Sequence, residues 1–159
     1  MLCLFWSSLS GDPLPVGADA PDVIAQDHTG ASIDLGKRLS SGTVLVFFYP
    51  KAHTPGCTAQ ACSLRDAWET LRQREVEVYG VSSDKPKTQA AFKAKHKLPY
   101  TLIADPERKV MRAFGKHAWS RQAYLFREGK VVWRDLKAAT KNQAEEALEA
   151  LDAASASEK

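Results

Sequence analysis

The sequence predicts an α/β fold with a central mixed β-sheet flanked by helices, and three observations carry that prediction. The chain has 159 residues, 44% hydrophobic and 26% charged, which is one globular domain large enough to build a core without disulfide staples. Runs of β-branched and aromatic residues alternate with segments of helical periodicity. The last two of those runs flank Glu128-Gly129, a hairpin signal, so the sheet ends antiparallel.

Taken in order, Val23-Ile24 and Ser32 to Asp34 flank His28-Thr29-Gly30 and predict a small hairpin. Thr43 to Tyr49 is a continuous apolar run between Gly42 and Pro50, which suits a strand buried on both faces. Ala61, Leu64, Trp68 and Leu71 recur at three- and four-residue spacing and predict one helix, with Glu69 on its wet face. Val76 to Val81 is the next strand. Pro86 opens a helix that runs to about Lys97, and Pro99 closes it. Tyr100 to Ala104 is a short strand, followed by Asp105 as N-cap and Pro106 as first residue of a helix that stops at Gly115. Ala123 to Arg127 and Lys130 to Arg134 form the hairpin. Lys141 to Asp152 is a final helix with Ala144, Ala147, Leu148 and Leu151 inward. Residues 1–14 are assigned as an N-terminal extension, 15–152 as the domain and 153–159 as a frayed tail.

A formal net charge of +3 is too small to imply nucleic-acid binding without a basic face or a recognisable module. The basic excess from Lys85 to Arg121 reads as solvated helix faces with a weak bias toward anionic partners. Met1 to Leu9 is largely apolar but lacks a basic leader, and its apolar run, broken at Ser7, falls short of the roughly 7–15-residue core of a signal peptide. No later run approaches a membrane span, so a soluble cytoplasmic protein is expected. Met1 to Leu14 stays open to three readings: a degraded export signal, a mis-chosen start, or a tail packed on the body.

The chain has three cysteines, an odd number, and Cys57 and Cys62 cluster within six residues; this suggests thiol chemistry or a metal pair in place of a structural framework. Cys3 is assigned as a bystander. Pro50 to Cys62 lies where a buried strand ends and a helix begins, the place where open α/β sheets put their sites. Thr54 is a natural N-cap and Pro55 a natural first residue, so Cys57 falls in the first turn. There, unpaired N–H groups and the positive end of the helix dipole favour a thiolate, the nucleophilic form. Cys62 lies about 7.5 Å further along an ideal helix axis, beyond the ~4.4–6.8 Å Cα separation of ordinary disulfides. Pairing of the two therefore requires the helix to unwind, and a mobile Gly56 would help it do so.

The stretch Phe48 to Asp66 resembles the active-site segment of peroxiredoxins of the bacterioferritin-comigratory-protein or PrxQ branch, Pro-x-x-x-Thr-x-x-Cys with a second cysteine five residues later. Gly17 to Asp22, Gly80 to Asp84, Leu98 to Asp105 and Arg121 to Phe126 extend the similarity, which covers Val16 to Leu151. It implies a thioredoxin-like fold and a thiol-dependent peroxidase acting on hydrogen peroxide and organic hydroperoxides with no cofactor. On this resemblance Cys57 is the peroxidatic cysteine and becomes a sulfenic acid. Thr54 hydrogen-bonds thiolate and peroxide, Arg121 stabilises the thiolate and the developing charge, and Pro50 walls the pocket from water. Cys62 resolves the sulfenic acid to a Cys57–Cys62 disulfide, which thioredoxin or a similar dithiol reduces. A monomer is expected, since both cysteines lie in one chain.

Two departures from the family pattern stand out: a short approach from Lys116 to Ser120, and Ala123 where a hydroxylated residue is common. His53 and His117 read as loop residues, Arg65 as an ion-pairing helix residue, and Trp68, Trp119 and Trp133 as core or rim aromatics, Trp119 nearest the site. One alternative is a thioredoxin-like disulfide reductase, disfavoured because such proteins carry cysteines closer together. The other is a metal-binding or redox-sensing module using Cys57, Cys62, His53 and His117.

Overall fold

The computed structural model describes residues 12–116 and 120–157. Its centre is a mixed seven-stranded sheet of order β2-β1-β5-β4-β3-β6-β7. The strands are β1 (Ile24–Asp27), β2 (Ser32–Asp34), β3 (Thr43–Phe48), β4 (Val76–Ser82), β5 (Thr101–Ala104), β6 (Gln122–Arg127) and β7 (Lys130–Asp135). β3, β4 and β5 are parallel neighbours, and β6, β7, β1 and β2 add antiparallel edges. The helices are α1 (Leu35–Leu39), α2 (Pro55–Asp66), α3 (Trp68–Gln73), α4 (Pro86–His96), α5 (Lys109–Ala113) and α6 (Gln143–Ala156).

β3 is buried on both faces, as its uninterrupted apolar run predicts. Leu45, Phe47 and Tyr49 point into a core with Ala61 and Leu64 of α2, Phe92 of α4, and Ala144, Ala147 and Leu151 of α6. Val44, Val46 and Phe48 point the other way, against Leu35 and Leu39 of α1 and Val110, Met111 and Phe114 around α5. The sheet thus separates a face that carries both clustered cysteines from an opposite face closed by two short helices.

Several boundaries differ from the sequence reading. The helix expected to run through Leu71 is split at Ala67, although Ala67 N–H still donates to Ser63 O and Leu71 N–H to Ala67 O, so the join is a bend. Asp105 does cap a helix, but its carboxylate oxygens accept from Val110 and Met111 N–H across a turn in which Arg108 is left-handed, and α5 begins at Lys109. Pro106 therefore lies outside the helix. α4 ends as expected, with Lys97 in the left-handed conformation ahead of Pro99. α6 continues to Ala156, beyond Asp152, and the unpredicted α1 is capped by the Asp34 carboxylate.

The end of the N-terminal extension packs on the body. Leu14 N–H donates to Phe114 O, and Arg134 Nη1 donates to the carbonyls of Pro13 and Leu14. Gly17 to Ala20 then exchange backbone hydrogen bonds with Gly129 and Val131, which covers the β7 edge. Cys3, His117 and Trp119 lie outside the described residues.

Candidate active site

The site forms at the carboxyl end of β3, where the chain turns into α2. Ser82, the last residue of β4, donates its hydroxyl to the Asp84 carboxylate, which also accepts from Ala52 N–H at 2.8 Å and pins the loop. His53 takes a left-handed φ of 64° next to it. Thr54 occupies the N-cap position with extended backbone, but its hydroxyl donates to Lys51 O at 2.8 Å and caps nothing. This is the local competition for backbone groups that short polar side chains offer. Pro55 is the first helical residue, and the first helical hydrogen bond runs from Thr58 N–H to Thr54 O. The N–H groups of Gly56 and Cys57 precede it and aim at the start of the helix.

Cys57 is fully buried, at 0% exposure, and Cys62 half-buried; both are free thiols in an unbroken α2. Antiparallel pairing sets Gln122 opposite Phe48, so Arg121 stands just past the end of β3, over the start of α2. Its backbone carbonyl accepts from Ala138 N–H, and its Nη2 donates to Cys57 Sγ at 3.4 Å. A Cβ on Gly56 would lie 2.4 Å from Arg121 Nη2. Glycine is therefore required so that the guanidinium can cross the helix start, a static demand different from the mobility the sequence suggests. Arg121 Nε is buried with no partner among the described residues, a donor available to a ligand oxygen. A buried sulfur beside a cation and unpaired N–H groups is an arrangement for holding negative charge on sulfur and on atoms bonding to it.

The chain matches the AhpC/TSA family over residues 16–134. The chain belongs to that family. Peroxiredoxin Bcp of Escherichia coli (strain K12) is 40% identical over 114 residues, 72% of this chain and 71% of its own. The crystal structure of Peroxidoxin BcpB from Mycobacterium tuberculosis superposes with a TM-score of 0.80 at 30% identity, covering 88% of this chain and 97% of that one. A Xanthomonas campestris bacterioferritin comigratory protein, whose structures concern alkyl peroxide reduction, gives 0.77 at 25%, covering 89% and 98%. Within the AhpC/TSA family the chain is thus a peroxiredoxin of the Bcp and Q type, with the thioredoxin-like fold and thiol-dependent peroxidase activity of that group.

Among the described residues of this peroxiredoxin no group of three or more His, Cys, Asp and Glu stands close enough to hold a metal ion. No described helix is long and apolar enough to cross a membrane. Pro50 is half-buried at the β3 end, beside the site. Tyr49 is buried and donates its hydroxyl to Gln89 Oε1, with burial holding the phenol well above its ordinary range as a neutral donor. His53 is exposed, with its ring edge-on to Phe92, and Arg65 pairs with Asp66 while donating to His96 O. Sequence reasoning missed a second layer: Asp84 on the loop, Tyr100 donating to Ala61 O at 2.6 Å, and a buried amide pair, Gln60 with Gln143. Gln60 did carry a signal, since it lies on the same helical face as Cys57 and Leu64, where an amide must find a partner.

Proposed function

We propose that Cys57 is the peroxidatic residue and Cys62 the resolving one, in a cycle that reduces hydrogen peroxide and organic hydroperoxides at the expense of thioredoxin or a similar dithiol. The observation that carries this reading is the Arg121 guanidinium 3.4 Å from a buried cysteine sulfur at a helix start. The Cys57 thiolate attacks the terminal peroxide oxygen; an S–O bond forms, the O–O bond breaks, and the leaving alkoxide or hydroxide takes a proton to give alcohol or water. Arg121 holds the thiolate and the developing oxygen charge, Thr54 turns its hydroxyl toward both once substrate enters, and Pro50 keeps bulk water out.

Resolution follows when the first turns of α2 open. Cys62 thiol then attacks the sulfenic sulfur, the S–S bond forms, and the hydroxyl departs as water. Because α2 spans both cysteines and separates them by about 7.5 Å along an ideal axis, the closed helix is the reduced state. Both redox residues lie on one helix, which supports a monomer. Free thiols working by exchange suit a reducing compartment, and we assign the cytoplasm.

In a thioredoxin-coupled assay, Cys57→Ser is expected to abolish peroxide loss, and Cys62→Ser to allow one turnover and then stall. Full activity in Cys57→Ser would overturn the peroxidatic assignment, and full thioredoxin-driven turnover in Cys62→Ser would overturn the resolving one.

A further inference from the structure

Two polar links tie the redox helix to the start of the C-terminal helix, and neither touches the reacting sulfur. Gln60 Nε2 donates to Gln143 Oε1 at 2.8 Å, and both side chains are fully buried. One turn later, Ser63 Oγ accepts from Ala144 N–H at 3.2 Å. Asn142, at the N-cap position of α6, makes no side-chain cap of its own, so the hydroxyl of α2 serves as the cap of α6. Gln60 and Ser63 bracket Cys62, and α2 cannot unwind through them without breaking both links.

The apolar contact beside these links is made by small side chains. At its start α6 offers Ala144 and Ala147 to this core, and the larger Leu148 and Leu151 follow further along the helix. An open surface groove of about 570 Å³, lined by Ser63, Asp66, Ala144 and Leu148 among others, runs between the later part of α2 and α6. The amide pair is also incomplete, because Gln60 Oε1 and Gln143 Nε2 are buried with no partner among the described residues. An amide that makes one hydrogen bond and leaves one polar atom dry on each side holds the helix while penalising the closed state. Opening returns those atoms to water.

We infer that Gln60 and Gln143, with Ser63, form a latch that sets how fast α2 opens after Cys57 is oxidised, and so divides the sulfenic acid between two fates. One is condensation with Cys62, releasing water; the other is attack on a second peroxide, giving sulfinic acid and one alcohol or water. These are positioning residues, and their role rests on the assignment of Cys62 as the resolving cysteine.

Substitutions at the pair should move resolution in opposite directions. Gln143→Leu leaves Gln60 wholly unpaired in the closed helix and should open it; Q60L/Q143L removes every buried polar atom of the pair and should close it more firmly. With rapid mixing of the reduced full-length protein and hydrogen peroxide, followed by tryptophan fluorescence and thiol-trapping mass spectrometry, the peroxide-dependent phase is expected to stay within twofold in both. The peroxide-independent phase, formation of the Cys57–Cys62 disulfide, should be about tenfold faster in Gln143→Leu and several-fold slower in the double variant. At excess peroxide the sulfinic fraction should fall in the first and rise in the second. Resolution rates that are unchanged, or that shift the same way in both variants, overturn the latch. Absence of the Cys57–Cys62 disulfide in the unmodified protein overturns the resolving assignment and the latch with it, an outcome distinct from a normal disulfide with indifferent variants.

Discussion

The two ends of the cysteine-bearing segment of α2 are built on opposite principles. Around Cys57 the helix start is crowded and charged: the sulfur is fully buried, Arg121 crosses the backbone at Gly56, and the preceding loop is pinned by Asp84. Around Cys62 the sulfur is half-buried; Arg65 acts on it electrostatically, and the links that hold this part of the helix are neutral polar groups with replaceable hydrogen bonds, Gln60, Ser63 and the Tyr100 hydroxyl on Ala61 O. The first end suits a group that must hold one geometry through bond formation. The second suits a segment that must leave. Five residues are enough for this division because a helix gives each side chain its own neighbours while the backbone transmits any unwinding to both.

The sharpest way to break this comparison is at the charged end. Arg121→Gln retains hydrogen-bonding capacity but loses the charge, and kcat/KM for hydrogen peroxide is expected to fall about 100-fold or more, the usual effect of losing a preorganised electrostatic partner. Alkylation of Cys57 by iodoacetamide at neutral pH should slow in parallel. A variant within threefold of the parent in both measurements would remove Arg121 from the chemistry.

Gly56→Ala separates activity from stability at the same end. The new Cβ would stand 2.4 Å from Arg121 Nη2, so the guanidinium must withdraw from the sulfur. We expect a roughly tenfold loss of kcat/KM, while a helix-propensity gain of up to about 1 kcal/mol offsets the displaced guanidinium contact and leaves the melting temperature nearly unchanged. A large drop in melting temperature with the specific activity of the folded fraction preserved would show that Gly56 serves packing alone.

That glycine also marks how far the sequence could be read. Thr54, Pro55 and Cys57 were legible because cap, first residue and first turn are neighbours in the chain and their physics is local. β3 was legible because an unbroken apolar run leaves few alternatives. The cap rule gave way where a nearby alternative competed: the Thr54 hydroxyl turned back to Lys51, and the Asp105 cap reached across a left-handed Arg108 to a later helix start. Arg121 was visible through family resemblance only, since its relation to Cys57 depends on the β3–β6 register across 64 residues. Gln60 and Gln143, 83 residues apart, had no such pattern to join them.

At the releasing end, Tyr100→Phe removes one tether and little else. Tyr100 is buried, and its hydroxyl donates to Ala61 O, next to Cys62. Losing one such hydrogen bond is expected to cost about 1 kcal/mol of stability, seen as a lower urea midpoint with unchanged slope, and to leave the peroxide-dependent phase untouched. If that phase slowed as much as in Arg121→Gln, the two ends would not be separable.

The smallest effect on catalysis comes from the opposite face of the sheet, where a buried charge serves no redox chemistry. Lys116 is 8% exposed and stands over the Phe48 ring; burial, followed by the nearby Arg108, lowers its ammonium from an ordinary 10.5 to about 8, against a raising pull from Asp105. A lysine whose folded value is depressed binds fewer protons folded than unfolded between those two values, so folding stability attributable to it rises with pH from about 8 to about 10.5 and is lowest below 8. Lys116→Met should flatten that rise in urea midpoints measured across the interval. An identical slope in the variant would assign the pH dependence to other groups and leave Lys116 a paired, buried cation without influence on it.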